Sequence, residues 1–487
     1  MQADAVQHPW EGKVLIDSWR PARGGFLEVR APATNELLCR PGVADVEDVA
    51  IAADFAGAAQ VGWAQTPFDQ RAAVLRKAEQ LLAERADKFV GWLSREAGSA
   101  GLKAGWEFNA AREQLSMAAA LPMHAIGQLF PSSVPGRQNQ WRRVPIGVVG
   151  VISPWNFPLL LSMRSIAPAI ALGNSVILKP DPQTPVVGGI LLGELFADAG
   201  LPPGVLSVLP GGAETGEAIV QHPGIRMISF TGSTAVGRRI GQTCGGLLKK
   251  CCLELGGNNA FVVLDDADLE AAASSGAWGA FLHQGQICMQ AGRHLVHRSV
   301  AQRYAELLTA RASKLRVGDP ASGPVDLGPI INSRQLDRIE KIVRDSVDQG
   351  AKVLVGARKD GQYYWPTVLS HVSPLMPAFT EEIFGPVAPI TVFDTDEEAV
   401  QLVNSSPFGL TAAIHTAKTG RGVAMALRLK TGMVHVNDQT VNNEFHVPFG
   451  GMGASGNGGR FGGPANIDEF TEAQWISVIE EPVKYPF

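Results

Sequence analysis

The sequence predicts an α/β fold with two doubly wound α/β domains and a small β hairpin that lies outside both. Segments typical of strands and of helices alternate from Gly147 onward, and a second series of the same kind starts near Gly256. Between residues 127 and 143, prolines and clustered polar residues interrupt the helical pattern. Alternating strands and helices are typical of parallel sheets with helices packed on their faces, whereas the interruption predicts a hairpin.

The composition is that of a folded globular chain. The 487 residues are 45% hydrophobic and 18% charged, with 54 Gly and 32 Pro, which is enough apolar material for sizeable cores and many turns. These values exclude a disordered, collagen-like or coiled-coil protein. A formal net charge of −5 gives no basic bias toward nucleic acid. Five cysteines in so long a chain predict free thiols in a reducing, cytoplasmic compartment.

Two segments are considered as a secretory signal and as a membrane span. The N-terminus, MQADAVQHPWEGK, lacks a basic segment followed by an apolar core, so we expect no secretory signal. Residues 144–163 carry no charge, but Pro145, Pro154 and Pro158 interrupt them. A lipid-exposed backbone could not satisfy its hydrogen bonds there, so we expect buried strand and turn, and no membrane contact.

The predicted elements follow in chain order. Residues up to about 120 are predicted to be mainly helical, because DVEDVAIAADFAGAAQ and RAAVLRKAEQLLAERADKFVGWLSREAG place apolar residues three or four apart. The first alternating series comprises strand GVVGVIS, helix MRSIAPAIALGN, strand SVILKP, helix VVGGILLGELFADAG, and strands VLSVLP and MISF. The second series comprises strand NAFVVL, a helix from Ala267, and strands KVLVG, PVAPITVF, AAIHT and GMVHV. Near the C-terminus, WISVIEE is apolar enough to pair with another chain.

The segment RMISFTGSTAVGRRIG is a candidate phosphate-binding turn. It places Gly232 and Gly237 around the start of a helix near Ser233, directly after a strand. A helix N-terminus presents free N–H groups and the positive end of the helix dipole, which suit a dinucleotide pyrophosphate. The GxGxxG fingerprint is not met, so an ordinary strand–helix turn is the alternative.

Three side chains are candidates for catalytic roles, each with a structural alternative. Cys288 lies among small and polar residues; as a nucleophile it would need a lowered pKa or an adjacent base, and most buried cysteines are inert. His283, five residues before it, is interpreted as structural. Glu254 is either a buried general base with a raised pKa or an edge-strand residue that faces water. Asn156, in a Pro-bounded turn, is either an oxyanion donor or an ordinary turn residue.

Seven motifs occur in a fixed order and at wide spacings: SPWNFP, LKP, FTGSTAVG, LELGGNN, GQICM, EEIFGP and PFGGMGASGNGGRFG. With them the sequence closely resembles the NAD(P)-dependent aldehyde dehydrogenase superfamily over nearly the whole chain. The KPDPQTP stretch and the PFGGMGASGNGGRFGG tail are most similar to those of bacterial benzaldehyde and vanillin dehydrogenases. The following expectations come from this resemblance.

The resemblance implies the catalytic roles. Cys288 of the GQxC motif would attack the aldehyde, and Asn156 with the Cys288 N–H would hold the oxyanion. Collapse of the thiohemiacetal would transfer hydride to the nicotinamide, and Glu254 would activate the water that hydrolyses the thioester. Lys179 would bind the adenosine ribose. The predicted cofactor-binding residues are Ser153, Pro154, Trp155, Lys179, Gly212, Phe230, Gly232, Ser233, Gly237, Leu255, Glu382 and Phe384.

The resemblance also implies the organisation of the chain. A Rossmann-like NAD(P)-binding domain would comprise residues 1–122 and 146–255, and a catalytic domain residues 256–455. An oligomerisation segment, residues 123–145 and 465–487, would pair subunits into a homodimer or homotetramer. No metal is implied.

NAD is the expected cofactor and NADP a second possibility. Many NAD-preferring relatives carry a Glu, three residues after the KP-motif Lys, that repels a 2′-phosphate. Here that position is Pro182, and the adjacent Asp181 is the alternative carboxylate.

The substrate expected from the sequence is an aromatic or hydrophobic aldehyde such as benzaldehyde. Five apolar residues near the motifs would line its tunnel, or would be ordinary core residues: Phe157, Leu160, Leu161, Ile287 and Met289. The alternatives are a CoA-acylating or semialdehyde dehydrogenase of the same superfamily, a cysteine hydrolase, and a non-catalytic binding protein that keeps the fold. Glu254 favours hydrolysis of the thioester by water over its transfer to CoA.

Overall fold

A computed structural model describes residues 8–487 of the chain. Residues 1–7 lie outside the described residues. They include the start of the segment in which we expect no secretory signal and the start of the predicted 1–122 range.

The N-terminal part is mainly helical, as the spacing of its apolar residues predicts. Its elements are β1 (Lys13–Leu15), β2 (Trp19–Pro21), β3 (Val29–Arg30), β4 (Leu37–Cys39), α1 (Val46–Gln65), α2 (Phe68–Glu84), α3 (Ala86–Ala97) and α4 (Gly101–Ala118). The predicted hairpin follows as β5 (Gly127–Phe130) and β6 (Arg137–Pro145).

Two series of alternating strands and helices make up most of the remaining chain. The first comprises β7 (Val148–Ile152), α5 (Pro158–Ala171), β8 (Ser175–Lys179), α6 (Leu191–Asp198), β9 (Leu206–Val208), α7 (Ala213–Gln221), β10 (Met227–Thr231), α8 (Thr234–Gly246) and β11 (Lys250–Glu254). The second starts with β12 (Ala260–Val263), α9 (Leu269–Phe281), β13 (Arg293–His297), α10 (Ala301–Ala312), α11 (Ser333–Asp348), β14 (Lys352–Val355), β15 (Lys359–Asp360), β16 (Tyr363–Tyr364) and β17 (Thr367–Ser370). It ends with α12 (Pro377–Thr380), β18 (Val387–Phe393), α13 (Asp396–Asn404), β19 (Phe408–Gly409), β20 (Thr411–His415), α14 (Thr419–Ala426), β21 (Met433–Val436), β22 (Met452–Gly453), α15 (Ala465–Glu469) and β23 (Thr471–Ile479).

Each series contributes the parallel strands of one seven-stranded sheet, and β1 and β2 of the N-terminal part complete the first. The first has the strand order β11-β10-β7-β8-β9-β1-β2, in which the strands from β11 to β9 run parallel. The second has the order β14-β17-β18-β13-β12-β20-β21, in which only the pairing of β14 with β17 is antiparallel. Every residue of β7, β8 and β12 is buried, as expected for strands covered by helices on both faces. The α/β fold with two doubly wound sheets is therefore confirmed.

A third, three-stranded sheet lies apart from these two. Its strand order is β23-β6-β5, and both pairings are antiparallel. The predicted C-terminal strand thus pairs along the whole of β6. Three large apolar side chains on this sheet are strongly exposed: Leu129 at 78%, Phe130 at 51% and Trp475 at 69%. An exposed, apolar edge of this kind is a surface suited to pairing with another chain.

One predicted boundary was wrong. The uncharged stretch from 144 to 163 is strand and turn only as far as Phe157, because α5 begins at Pro158 rather than near Met163. Proline suits the first position of a helix, where its missing N–H is not needed. The long helical pattern from 71 to 98 is divided at Arg85 into α2 and α3. Within residues 8–487, none of the helices combines the length and the apolar character needed to span a bilayer.

Candidate active site

Four of the predicted site residues meet at the carboxyl edge of the first sheet. Glu254 ends β11, Lys179 ends β8, Ser233 follows β10, and Asn156 lies in the turn after β7. Ligands of open parallel sheets bind at this edge, because the loops that leave neighbouring strands converge there. The topology therefore places residues that are up to 98 positions apart around one cleft.

Cys288 lies in the loop between α9 and β13 and is partly buried. Its main-chain carbonyl accepts a hydrogen bond of 2.8 Å from Asn259 Nδ2, which also donates to the Gln290 carbonyl at 2.7 Å. A methyl group added at Gly257 would overlap the Cys288 carbonyl, so this loop packs closely on the chain that follows β11. The Cys288 backbone is therefore held in place by the segment after β11, through the Asn259 side chain and the close approach at Gly257.

The thiol is not ionised at neutral pH by its surroundings alone. Burial, opposed by the guanidinium of Arg164 and assisted by the carboxylates of Glu382 and Glu254, raises the pKa of Cys288 to about 12. A nucleophilic thiolate therefore needs a base or a change of surroundings on ligand binding.

Asn156 is buried and is tied to the same loop. Its Nδ2 donates to the Gln286 carbonyl at 3.0 Å, two residues before Cys288. Because an amide nitrogen carries two hydrogens, one bond holds the side chain in place and a second donor is left for a ligand.

Glu254 points into the site without a partner. It is 2% exposed, and neither carboxyl oxygen has a hydrogen-bond partner among residues 8–487. Burial raises its pKa to about 8, against the lowering effects of Arg164 and Arg460. A methyl group at Gly450 would lie 2.7 Å from Oε1, so only glycine there leaves room for the carboxyl group. A buried carboxyl with this pKa can accept a proton near neutral pH.

Arg164 is a site residue that the sequence analysis missed. It lies in the middle of α5, a helix in which every residue is buried. Its Nη2 donates to Thr231 Oγ1 at 2.9 Å, and Thr231 is the residue of β10 paired with Glu254 of β11. Its guanidinium lies 4.4 Å from the ring centre of Phe461. A single charge inside an otherwise apolar helix is the signal that could have revealed it.

The helix after the glycine turn has a free N-terminus. Ser233 precedes α8 as its N-cap, and its side chain makes no capping bond. A Cβ at Gly232 would lie 2.5 Å from the Phe230 ring, and one at Gly237 would overlap Leu255. Both glycines therefore allow close packing, with Gly232 at the turn and Gly237 inside the helix. The exposed N–H groups of the first turn remain available to a phosphate.

Lys179 provides a cation at the same edge of the sheet, at the end of β8. Its Nζ donates to the carbonyls of Pro180 and Gly211 at 3.1 and 3.0 Å, which leaves one of its three hydrogens free. Burial lowers its pKa. Gly212 directly follows and is the N-cap of α7. Before α5, Ser153 Oγ accepts a bond of 2.7 Å from Ser162 Oγ, and Pro154 begins the turn that carries Asn156.

Glu382 and Phe384 lie in the segment before β18 of the second sheet, and Phe384 faces Trp155 in the turn after β7 of the first. Glu382 Oε1 accepts the Gly257 N–H at 2.7 Å, and burial raises the pKa of this carboxyl to about 7. Phe384 has a positive φ of 56°, and its ring packs edge-to-face on Trp155 with 5.5 Å between centres. Together with Lys179 and the α8 N-terminus, these groups fit a dinucleotide: a cation, phosphate-binding N–H groups, a carboxylate for ribose hydroxyls and aromatic rings. Over the described part of the chain, no group of three or more His, Cys, Asp or Glu could hold a metal ion.

The five apolar residues predicted to line a tunnel belong to one cluster, and the Cys288 side chain packs against it. Its buried members are Ala110, Phe157, Leu160, Leu161, Ile287, Met289, Leu410, Val441, Phe445 and Phe449. Trp106 packs on its edge, with its ring edge-to-face on Phe157 at 5.8 Å. His283, interpreted as structural, is buried beneath it with its ring 5.5 Å from that of Phe157.

Two doubly wound sheets and a cleft that contains a thiol, an unpartnered carboxyl group and an uncapped helix N-terminus are the features of an α/β dehydrogenase. The chain belongs to the aldehyde dehydrogenase family, whose family model matches residues 19–476. The family predicted from the motifs is therefore confirmed.

The chain is similar to proteins that act on aromatic aldehydes. It is 58% identical to the benzaldehyde dehydrogenase [NAD(+)] of Pseudomonas putida over the full length of both chains. It is 51% identical to the vanillin dehydrogenase of an Amycolatopsis species, over 98% of each chain. Among solved structures, a salicylaldehyde dehydrogenase from Pseudomonas putida G7 complexed with salicylaldehyde superimposes with a TM-score of 0.95 at 33% identity, covering 98% of this chain and 99% of that one.

Proposed function

We propose that this aldehyde dehydrogenase oxidises an aromatic or hydrophobic aldehyde of the benzaldehyde type to its carboxylic acid, with NAD as the preferred electron acceptor. The observation that carries the proposal is the cluster of aromatic and aliphatic side chains that borders the Cys288 thiol. Such a lining favours a flat, uncharged substrate, because a charged semialdehyde would lose its hydration there without a partner. The names of the similar benzaldehyde, vanillin and salicylaldehyde dehydrogenases support it.

The proposed chemistry uses three residues of the chain. The Cys288 thiol loses its proton to solvent and attacks the aldehyde carbon as the thiolate. Asn156 Nδ2 and the Cys288 N–H hold the thiohemiacetal oxyanion that forms; one such donor contributes about 3 kcal/mol in a comparable site. The bound dinucleotide supplies the acceptor for the two electrons that leave this carbon as hydride. Glu254 then accepts a proton from the water that hydrolyses the Cys288 thioester. Its unpartnered carboxyl and raised pKa support hydrolysis over transfer to CoA.

The cofactor assignment rests on residues at the carboxyl edge of the first sheet and on Glu382 and Phe384 beside the second. Ser153, Pro154, Trp155, Lys179, Gly212, Phe230, Gly232, Ser233, Gly237, Leu255, Glu382 and Phe384 are proposed to hold the dinucleotide. NADP is proposed as a second acceptor, because Pro182 offers no carboxylate that would repel a 2′-phosphate. Asp181 Oδ1 instead accepts the Gln183 N–H at 2.9 Å, so this carboxyl is engaged in its own turn.

The domain roles and the assembly are proposed with the function. Residues 1–122 and 146–255 would bind the dinucleotide, and residues 256–455 would carry the thiol. The segments 123–145 and 465–487 would join subunits into a homodimer or homotetramer, which the exposed apolar side chains of the β23-β6-β5 sheet support. A cytoplasmic location is proposed from the free cysteines.

A panel of aldehydes tests the function. We expect kcat/KM for benzaldehyde and vanillin to exceed that for succinic semialdehyde and glyceraldehyde by at least about tenfold, because one buried apolar group in a pocket contributes about 1–3 kcal/mol. With NADP, the value for benzaldehyde should lie within about two orders of magnitude of that with NAD, because no carboxylate at position 182 repels the 2′-phosphate. A preference for succinic semialdehyde would overturn the proposal.

A second prediction concerns the charge of Arg164. Ionised Glu254 is the form that accepts a proton, so thioester hydrolysis should rise with pH through the pKa of Glu254, about 8. Since Arg164 lowers that pKa, Arg164→Met should raise it and move the midpoint of the hydrolysis rate to higher pH. Arg164→Lys retains the charge and serves as the control, with a midpoint near that of the wild type. Equal midpoints in all three proteins would show that Arg164 does not tune Glu254.

A further inference from the structure

A buried ion pair lies directly behind the turn that carries Asn156. Lys103 and Glu107 occupy one face of α4 four residues apart, and they are 1% and 0% exposed. Lys103 Nζ donates to Glu107 Oε2 at 2.5 Å and to Ser99 Oγ at 3.0 Å. Two ionisable groups removed completely from water carry a large desolvation penalty, and apolar residues of similar volume often serve stability equally well. The position of the pair therefore calls for a reason other than stability.

The pair holds the main chain at Asn156 and at the helix start that follows it. Lys103 Nζ donates to the Asn156 carbonyl at 2.7 Å. Glu107 Oε1 accepts the N–H groups of Leu159 and Leu160 at 2.9 and 3.2 Å, in the first turn of α5. No side chain of α5 itself caps that helix, so Glu107 supplies the missing acceptor from another helix.

The same pair supports the ring next to Asn156. Lys103 Nζ lies 4.3 Å from the ring centre of Phe157, within the range of a cation–π contact. The Phe157 ring is held edge-to-face by Trp106 and His283, at 5.8 and 5.5 Å. Carbonyl, ring and helix start are thus all fixed relative to α4, and the Asn156 side chain is the group that projects from this fixed turn toward the Cys288 loop.

We propose that Lys103 and Glu107 are positioning residues for the oxyanion site: their ion pair sets the place of the Asn156 amide relative to the Cys288 backbone. The inference rests on the proposed function, because it uses the proposed role of Asn156. Stabilisation of a developing oxyanion depends on donors that are already in place, and a displacement of about 1 Å can slow a reaction about 100-fold.

A double-mutant cycle tests the proposal. Lys103→Met/Glu107→Gln removes the charges but keeps an acceptor for the two helix N–H groups, so the variant should fold. Rapid mixing of the NAD-loaded enzyme with benzaldehyde should show the burst of NADH slowed about 10- to 100-fold, with the Kd for NAD unchanged by fluorescence titration. In an Asn156→Ala background the same pair substitution should slow the burst by less than about twofold, because there is no amide left to position.

Two outcomes would show that the pair has no positioning role. A pair variant with a burst rate within twofold of the wild type overturns the proposal, as does equal slowing with and without Asn156. Lys341→Met/Asp345→Asn, a change in an exposed pair with the same spacing, should leave the burst unchanged.

If the buried pair variant does not fold, Lys103→Met alone is taken through the same cycle. If the wild type does not oxidise benzaldehyde, the proposed function fails separately, and the cycle is run with the aldehyde that the wild type does oxidise.

Discussion

Cys288→Ala is expected to abolish aldehyde oxidation while leaving the binding of NAD intact. The variant keeps the loop that Asn259 holds but lacks the sulfur that forms the thiohemiacetal, so no covalent intermediate can arise. Removal of a nucleophile from a preorganised site lowers kcat by about four to six orders of magnitude. Steady-state assays with benzaldehyde measure the loss, and fluorescence titration measures the Kd for NAD.

A matched control separates this effect from the loss of any buried thiol. Cys39 is also buried and free, and it lies in β4, outside the cleft that contains the site. Cys39→Ala should therefore retain wild-type turnover within about twofold, since a small apolar replacement at a distant site has a modest effect. Dehydrogenase activity above a few per cent in Cys288→Ala would remove Cys288 from the proposed role.

Glu254→Gln is expected to arrest the enzyme as a thioester. Attack and electron transfer need the thiol and the oxyanion donors, whereas hydrolysis needs a proton acceptor for water. Rapid mixing should show a burst of about one NADH per active site, followed by turnover at least about 100-fold slower than in the wild type, as for loss of a general base. Mass spectrometry of the quenched enzyme should find the acyl group on the peptide that contains Cys288.

The pH dependence of this burst follows from the buried thiol. An ordinary cysteine pKa near 8.5 predicts that pH 9 populates the thiolate and restores a slow burst. In this site, however, burial raises the pKa of Cys288 to about 12, so the thiol still dominates at pH 9. The burst rate of Glu254→Gln should therefore keep rising between pH 7 and 10 without a plateau, while its steady-state rate stays low.

Glu96→Gln is the matched control for this substitution. Glu96 is completely buried and its pKa is also raised to about 8, but it accepts hydrogen bonds from the Val186 and Val187 N–H groups. Glutamine keeps an acceptor there, and the variant should turn over without accumulating a thioester. The absence of a burst in Glu254→Gln at every pH, with NAD binding intact, would leave the water-activating base unidentified.

Much of the fold could be predicted because it depends on local patterns. Strands β7, β8 and β12 are short apolar runs flanked by Gly, Pro or Asn, and the N-terminal helices α2 and α3 keep a three-to-four spacing of apolar residues. The site motifs are contiguous segments at the ends of those strands, so their recognition identified the family and named Cys288, Glu254 and Asn156 before any contact was known.

The start of α5 could not be predicted locally. Residues before Met163 have no capping side chain of their own, and Pro158 is compatible with either a turn or a helix start. The acceptor that completes the first turn is Glu107, more than 50 positions away. The spacing of apolar residues along the chain does not indicate a helix boundary that depends on a distant partner.

The sequence by itself determined the fold class, the family and the residues whose types suit the chemistry, because each of these depends on the local spacing of apolar residues or on the order of the motifs. Only the tertiary structure decided the surroundings of those residues. It buried Glu254 without a partner, raised the pKa of Cys288, and brought Arg164 and the Lys103–Glu107 pair to the site. On the sequence, a Lys and a Glu four apart look like any solvated helix pair. The difference is desolvation and long-range hydrogen bonding, which exist only once the helices have packed.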